Sequence, residues 1–137
     1  MNNAPAPLTV ETFTPPGTMT PIGPYSHIAK AGSLIMIGAV AGVDPATGKL
    51  AGPDAYTQAA QIIDAFKLML AGVESDLAHV LHVNIYLKQM ADFDAVNRAY
   101  AEKFGAHRPA RTTIGVSEFP KPGAVVTMAL TAVTRTA

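Results

Sequence analysis

Arg111 is the residue whose type and position most directly suggest chemistry. It lies in the run Arg108-Pro109-Ala110-Arg111. Because Pro109 cannot continue a helix and an apolar strand is predicted to follow, Arg111 stands where that strand begins. A guanidinium in this position can present its planar fork to a carboxylate in a sheltered cleft. The alternative is an ordinary solvated or ion-paired arginine at a strand end.

Tyr25 is a second candidate for contact with a ligand. It follows Gly23-Pro24, and the fixed backbone of the proline holds the phenol in a rigid turn. Many tyrosines at the start of a strand are simply half-buried packing groups, which is the alternative here. Tyr25 alone therefore specifies no reaction.

Other common catalytic and metal-binding patterns are absent from the sequence. The chain has no Cys, which excludes thiolate nucleophiles and Cys-ligated metals. It also lacks GxSxG and HExxH, and residues 38–42 do not have the spacing of a dinucleotide fingerprint. His79 and His82 are an odd number of residues apart, which places them on opposite faces of a predicted strand. His27 and His107 have no obvious partners, so we expect no metal and no cofactor.

The elements that must position these residues follow from hydrophobic periodicity and turn formers. Apolar residues at helical spacing predict a helix over about 56–71 and a second helix that Asp92 caps and that ends at Gly105. The alternating and β-branched runs predict strands over 8–13, 25–30, 33–39, 80–87, 111–118 and 124–134. In the strand over 80–87, one face is predicted to be strongly apolar, with Leu81, Val83, Ile85 and Leu87 on it. Ala31-Gly32 forms a hairpin turn, and residues 44–49 are predicted to be a loop.

The order β-β-β-α-β-α-β-β predicts an α+β fold with both helices on one face of a mixed sheet. The opposite face then has no cover of its own, and self-association with cyclic symmetry is the common way to cover it. With 137 residues, the chain is predicted to be a single domain. Residues 1–18 form a Pro-rich N-terminal extension.

Composition narrows the classes of function. A hydrophobic content of 49% predicts a folded protein, and a net charge of zero disfavours nonspecific nucleic-acid binding. No apolar run approaches the ~20 residues that cross a bilayer, and the N-terminus does not resemble a signal peptide. We therefore expect a cytoplasmic protein without membrane or nucleic-acid partners. Charged residues make up only 15% of the chain, against about 25% in average proteins, which favours an oligomer.

Five segments together resemble, in order and spacing, the Rid family, which is also called YjgF-like and contains the enamine/imine deaminases. The segments are Pro21-Ile-Gly-Pro-Tyr-Ser26, Lys30-Ala-Gly-Ser-Leu-Ile-Met-Ile-Gly38, Asp44-Pro-Ala-Thr-Gly48, Phe93-Asp-Ala-Val-Asn97 and Arg108-Pro-Ala-Arg111. The resemblance covers about residues 19–134. It implies a chorismate-mutase-like α+β homotrimer with three ligand clefts between the subunits.

The resemblance also assigns roles to individual residues. Arg111 matches the arginine that grips the substrate carboxylate, and Tyr25 matches the tyrosine beside the ligand. Gly38 and Thr113 match positions whose backbone groups face the ligand. Asn97 matches the asparagine of the helix signature.

One position departs from the pattern of the deaminating members. Their last strand carries a glutamate that helps to place the attacking water, and the aligned residue here is Thr127. Thr112, directly after Arg111, is also unusual for the family. A neutral hydroxyl at residue 127 can hold a water but cannot act as a carboxylate base. We therefore expect slower or different chemistry.

Two hypotheses of different class follow. The first is hydrolysis of 2-imino or enamine acids to 2-oxo acids and ammonia, with Arg111, Tyr25 and Thr127 as the catalytic candidates. The second is a non-catalytic trimer that binds small carboxylate metabolites in the same cleft. Ribonuclease or translation-inhibitor activity, a label carried by some relatives, is disfavoured by the zero net charge and by the lack of a histidine pair on one face.

Overall fold

A six-stranded mixed sheet is the centre of the fold in the computed structural model, which describes residues 4–137. Its strand order is β1-β2-β3-β8-β6-β7, and all neighbours are antiparallel except β6 and β7. The elements are β1 (Glu11–Phe13), β2 (Ile28–Ala31), β3 (Leu34–Ala41), β4 (Val43–Asp44), β5 (Lys49–Leu50), α1 (Ala55–Ala71), β6 (Val80–Leu87), α2 (Phe93–Phe104), β7 (Ala110–Gly115) and β8 (Val126–Val133).

Both helices pack on the same face of this sheet, as the sequence predicts. α1 begins at Asp54, whose carboxylate accepts a hydrogen bond from the Thr57 amide at 2.9 Å. The fully buried side chains of Ile62, Phe66 and Leu70 lie on its sheet-facing side. α2 connects the parallel strands β6 and β7, because a parallel pair needs a crossover connection. It therefore covers the edge of the sheet on which Arg111 lies.

Gln58 ties α1 to two loops at one end of the sheet. Its buried amide nitrogen donates to the carbonyls of Gly52 and Gly123 at 2.9 and 3.2 Å, and its oxygen accepts from the Val125 amide at 2.9 Å. Gly42 packs so closely on the helix that a Cβ there would lie 2.4 Å from the Gln58 carbonyl oxygen. Only glycine fits at this contact.

Several predicted boundaries are wrong in detail. Residues 44–49 are not simply a loop, because the residues flanking their turn pair as β4 and β5. β1 begins only at Glu11, and β7 ends at Gly115 rather than at residue 118. Leu81 does not share the apolar face of β6: a register shift between Val80 and His82 turns it outward. At the start of α2, the side chain of Asp92 makes no capping hydrogen bond.

A bulge interrupts β3 in the middle of the sheet. Ile37 pairs with Leu130 and Val40 pairs with Met128, so β3 has one more residue than β8 over this stretch. Gly38 and Ala39 are consecutive exposed residues between the buried Ile37 and Val40. The bulge therefore presents two neighbouring positions to the same open region.

No helix covers the sheet face opposite α1 and α2 within residues 4–137, although loops cover the part around Thr127. Leu34, Met36 and Ile114 are exposed there, with Met36 54% accessible. Thr131 of β8 pairs with Met36 and adds a small half-buried side chain to this face. Exposed apolar side chains on an open sheet face are typical of an interaction surface. Within the same residues, no helix is long and apolar enough to cross a membrane.

Candidate functional site

The residues predicted to form the site fall into two groups. Tyr25, Gly38 and Thr127 lie around β2, β3 and β8, whereas Asn97, Arg111 and Thr113 lie on α2 and β7. Tyr25 and Thr127 line one depression in the surface, and Asn97 and Arg111 line another. The structure therefore brings together the members of each group but not the two groups.

The first depression is a cavity of about 280 Å³, called here the apolar cavity. Tyr25 and Thr127 both line it, and Ala39 of the β3 bulge lines it next to Gly38. The other lining residues are Met19, Thr20, Ile22, His27, Val40, Ala41, Val43, Pro45, Gly48, Pro120 and Lys121. A Cβ at Gly38 would meet no atom within 4 Å, so that position is open.

Tyr25 forms one wall of the apolar cavity. Its hydroxyl accepts a hydrogen bond from the Ile22 amide at 3.2 Å, which closes the Gly23-Pro24 turn. Its ring lies edge-on to His27 at 5.9 Å between centroids. The His27 Nε2–H donates to the Met19 carbonyl at 2.8 Å and so fixes the preceding loop against the wall. Tyr25 itself is 48% exposed and is accessible from the surface.

Thr127 lies near the start of β8, deeper in the apolar cavity. It pairs with Ala41 of β3 and Tyr86 of β6, and only 7% of its surface is exposed. Its hydroxyl has no hydrogen-bond partner among residues 4–137 and is free to hold a water. The side chain carries no charge, so the cavity has no carboxylate at the position where the deaminase pattern has one.

Arg111 lies on the helix side of β7, because it pairs with the buried Val83 of β6. Its Cζ atom is 4.9 Å from the centroid of the Tyr100 ring and 5.5 Å from that of Phe93. In the described part of the chain, this guanidinium makes no ion pair and no hydrogen bond. Two aromatic faces thus hold it in place while its five N–H donors remain free.

Three buried polar atoms around Arg111 also lack partners within the described chain. They are the Asn97 Oδ1, the Tyr100 hydroxyl and the Thr113 Oγ1. Such groups are normally satisfied in native proteins, so a cluster of them points to a missing partner. Burial raises the pKa of Tyr100 to about 12, so its phenol is neutral near pH 7. A neutral phenol beside a free guanidinium suits an anionic ligand.

Tyr100 and Phe93 are site residues that sequence reasoning missed. Their spacing within α2 predicts only an apolar helix face. Tyr100 fits that prediction, because it is 5% exposed and its ring stacks on that of Phe104 with 4.4 Å between the ring centroids. The signal that could have found them is the parallel β6–α2–β7 unit, which places the helix over β7. Arg111 then has to pack against the face of α2 that covers it.

The two groups lie on different strands and on opposite faces of the sheet. Tyr25 precedes β2, which is four strand intervals of about 4.8 Å, or roughly 19 Å, from β7, whereas Thr127 on β8 is two intervals, or roughly 10 Å, from β7. Arg111 also faces the helices, whereas Thr127 and Ala39 face the opposite side. One chain therefore cannot place one small molecule on Arg111 and in the apolar cavity at once.

The remaining histidines have structural partners. His79 lies in a 3₁₀ turn rather than on a strand, and its Nδ1 is 2.7 Å from the Asp76 carboxylate, a hydrogen bond that lowers the pKa of Asp76. His82 contacts the Thr112 hydroxyl at 3.1 Å, and the His107 Nε2–H donates to the Val80 carbonyl at 2.8 Å. Within residues 4–137 no three acidic or histidine side chains are grouped for a metal ion.

Comparison with known proteins identifies relatives along most of the chain. A RutC family protein of Pyrococcus horikoshii is 41% identical over 101 residues, which is 74% of this chain and 80% of that protein. The 3-aminoacrylate deaminase RutC of Acinetobacter baylyi is 30% identical over 87% of this chain and 94% of its own. The chloroplastic Reactive Intermediate Deaminase A of Arabidopsis thaliana is 35% identical over 72% of this chain and 53% of its own.

The fold comparison agrees. The crystal structure of the YjgF gene product from E. coli superposes with a TM-score of 0.85 at 26% identity, covering 91% of this chain and 99% of that one. The family model described as Endoribonuclease L-PSP matches residues 17–134, which contain every predicted site residue. With its six-stranded sheet and two helices in the same arrangement, the chain belongs to the Rid (YjgF-like) family.

Proposed function

We propose that this protein hydrolyses 2-imino acids, and the enamines that tautomerise to them, to 2-oxo acids and ammonia. Water adds to the C2 carbon while the π electrons of the C=N bond move to nitrogen. The tetrahedral intermediate then breaks its C–N bond, and the two hydrogens of the water leave with the ammonia. The substrate carboxylate is retained. The deaminases among the relatives support this reaction class.

The observation that carries the proposal is the free guanidinium of Arg111, held between the Tyr100 and Phe93 rings beside unpartnered polar atoms. Arg111 binds the carboxylate and fixes the imine carbon, since positioning supplies much of the acceleration for a reaction that already proceeds in water. Thr127 holds the attacking water, and Tyr25 forms the wall. Backbone groups at Gly38 and Thr113 face the imino group.

A complete site in this proposal needs two copies of the chain. The Arg111 group of one subunit lies against the apolar cavity of its neighbour, and cyclic repetition of this contact gives a homotrimer with three clefts. The uncovered sheet face, with its exposed Met36 and Ile114, becomes the inner surface of the assembly. The separation of the two groups within one chain is the reason for this arrangement.

Light scattering is expected to give a particle of about three times the chain mass of 14.3 kDa. A monodisperse monomer at micromolar concentration would contradict the proposed cleft between subunits.

Mixing two variants tests whether the site is shared between subunits. We expect Arg111→Ala and the cavity-blocking Ala39→Trp each to have at most about a tenth of the native activity alone. Subunits refolded together at random should regain about one quarter of the native sites, because some clefts then combine two intact halves. Unmixed refolded variants are the control, and no recovery in the mixture would contradict a shared site.

The reaction is tested with 2-imino acids generated in situ by an L-amino-acid oxidase. The expected result is ammonia release faster than spontaneous hydrolysis, and a rate equal to the background would contradict turnover.

The second candidate function, a carboxylate binder without turnover, is favoured by the uncharged Thr127. Calorimetry with 2-oxo acids separates the two: binding without any acceleration identifies a binder.

A further inference from the structure

His27, in the wall of the apolar cavity, has one ring nitrogen that the protein does not use. The residue directly precedes β2, and only 4% of its surface is exposed. Its Nε2–H donates to the Met19 carbonyl at 2.8 Å, so in the neutral ring Nδ1 carries the lone pair. Nδ1 is buried and has no hydrogen-bond partner within residues 4–137. A buried acceptor of this kind points to a partner that the chain itself does not supply.

The register of β2 and β3 places this ring beside the open position at Gly38. Ile28 pairs with Ile37, so His27 lies opposite Gly38, and the Gly38 amide donates to the His27 carbonyl at 3.0 Å. Opposite residues of an antiparallel pair point to the same face, with Cβ positions about 4.5–5.5 Å apart. A Cβ at Gly38 would meet no atom within 4 Å. A small molecule over Gly38 therefore lies next to the His27 side chain.

The other groups in the wall leave His27 as its proton acceptor. No Asp or Glu is among the described residues that line the cavity. The other titratable lining residues are Tyr25, whose ring lies edge-on to that of His27 at 5.9 Å between centroids, and Lys121, whose ammonium donates to the Gly48 carbonyl at 3.2 Å. Thr127 offers only a neutral hydroxyl. A neutral imidazole accepts a proton more readily than a phenol, an alcohol or an ammonium group.

We propose that His27 is the catalytic base and acid of imine hydrolysis, acting through Nδ1 on the attacking water and then on the departing nitrogen. This inference rests on the proposed function. Thr127 keeps its role of holding the water. The Met19 carbonyl is the group that fixes the tautomer, because it accepts from Nε2–H in both the neutral and the protonated ring.

The proton transfers follow the two halves of the reaction on the protonated imine. As the water oxygen bonds to C2, the π electrons of the C=N bond become the nitrogen lone pair, and one proton of the water moves to Nδ1. Nδ1–H then returns that proton to the nitrogen. The C–N bond breaks with its electron pair going to ammonia, an oxygen lone pair forms the carbonyl, and the hydroxyl proton is transferred to the ammonia.

His27→Gln tests this role, because its amide N–H can still donate to the Met19 carbonyl while Nδ1 is lost. With the imine of leucine generated in situ, we expect kcat to fall about 10²-fold or more and KM to stay within about twofold. The native kcat, corrected for spontaneous hydrolysis, should also decrease as the pH is lowered, because protonation of Nδ1 removes the acceptor. This decrease should be reduced or absent in His27→Gln.

His107→Gln is the matched control. The His107 Nε2–H also donates to a backbone carbonyl, that of Val80 at 2.8 Å, but His107 is not among the residues that line the apolar cavity. We expect this variant to keep the native kcat and pH profile. A native kcat in His27→Gln, or a lower kcat with the native pH profile, would overturn the base role alone. A native protein no faster than spontaneous hydrolysis would overturn the deaminase proposal and the base role together.

¹⁵N NMR of the histidine rings tests the same assignment in the native protein, whether or not His27→Gln folds. At about pH 8 we expect His27 to carry its proton on Nε2 and not on Nδ1. Saturating pyruvate, a 2-oxo acid product, should shift the Nδ1 signal of His27 and leave the ring signals of His107 in place. A proton on Nδ1 in the neutral ring, or an Nδ1 signal that pyruvate does not move, would overturn the inference.

Discussion

Arg111→Ala is expected to lower kcat/KM for 2-imino acids by about 10- to 200-fold, and the affinity for 2-oxo acids by a similar factor. A charge-assisted hydrogen bond contributes about 1.5–3 kcal/mol, and Arg111 has no protein partner that would offset its loss. Steady-state kinetics and calorimetry measure the two quantities. Light scattering shows whether the variant keeps its assembly.

Two further variants show which property of Arg111 is needed for activity and binding. Arg111→Lys keeps the charge but loses the fork, so we expect only partial recovery. Arg98→Ala removes another arginine that stacks on a tyrosine, with its Cζ 5.1 Å from the Tyr56 ring, but on the exposed side of α2. It should leave kcat/KM unchanged. Full ligand affinity in Arg111→Ala would show that the carboxylate binds elsewhere.

Thr127→Glu is expected to raise the hydrolysis rate by about 10²–10⁴-fold if the carboxylate reaches the attacking water, which is the usual contribution of a well-placed general base. The gain should increase with pH, because burial at this position raises the pKa of the introduced carboxyl and only its ionised form accepts a proton. The measurement is kcat against pH for the native protein and the variant.

Thr127→Gln is the matched control, since it has a similar shape without a titratable group. It should show no gain and no new pH dependence. A rise in KM in Thr127→Glu alone would indicate repulsion between the new charge and the substrate carboxylate. If neither the native protein nor Thr127→Glu turns over any imine while 2-oxo acids bind tightly, the protein is a binder and the deaminase proposal is wrong.

Much of this fold could be predicted because its signals are local. The apolar spacing in α1, the run of β6 and the stop at Gly105 are contained in short segments, and the observed bounds of both helices differ from the predictions by at most one residue. Strand boundaries and side-chain directions that depend on pairing with strands distant in the sequence were not predicted correctly. Leu81 turns outward because β6 has an additional residue relative to β8, a mismatch that no window of one strand reveals.

The site was less predictable from single residues. Family resemblance, not periodicity, selected Gly38, Asn97, Thr113 and Thr127, and their roles remain predictions. Arg111 contacts Phe93 and Tyr100 because α2 crosses over β7. The positions of these two rings next to Arg111 are therefore set by the tertiary structure and not by local sequence. The sequence also does not indicate that Tyr25, which precedes β2, and Arg111 of β7 are separated by four strand intervals of one sheet. That separation can be known only from the order of the strands in the folded sheet.

The bulge in β3 is a position where the stability of the sheet and the shape of the apolar cavity favour different sequences. Without Ala39, Ile37 and Val40 would alternate as in a regular strand and would still both face the core, so the interior does not require the additional residue. The bulge interrupts the pairing with β8 and thereby weakens the sheet. Sequence changes that regularise β3 would strengthen its pairing with β8 and would remove Ala39 from the wall of the apolar cavity. Selection for thermal stability alone would therefore act against the site at this point.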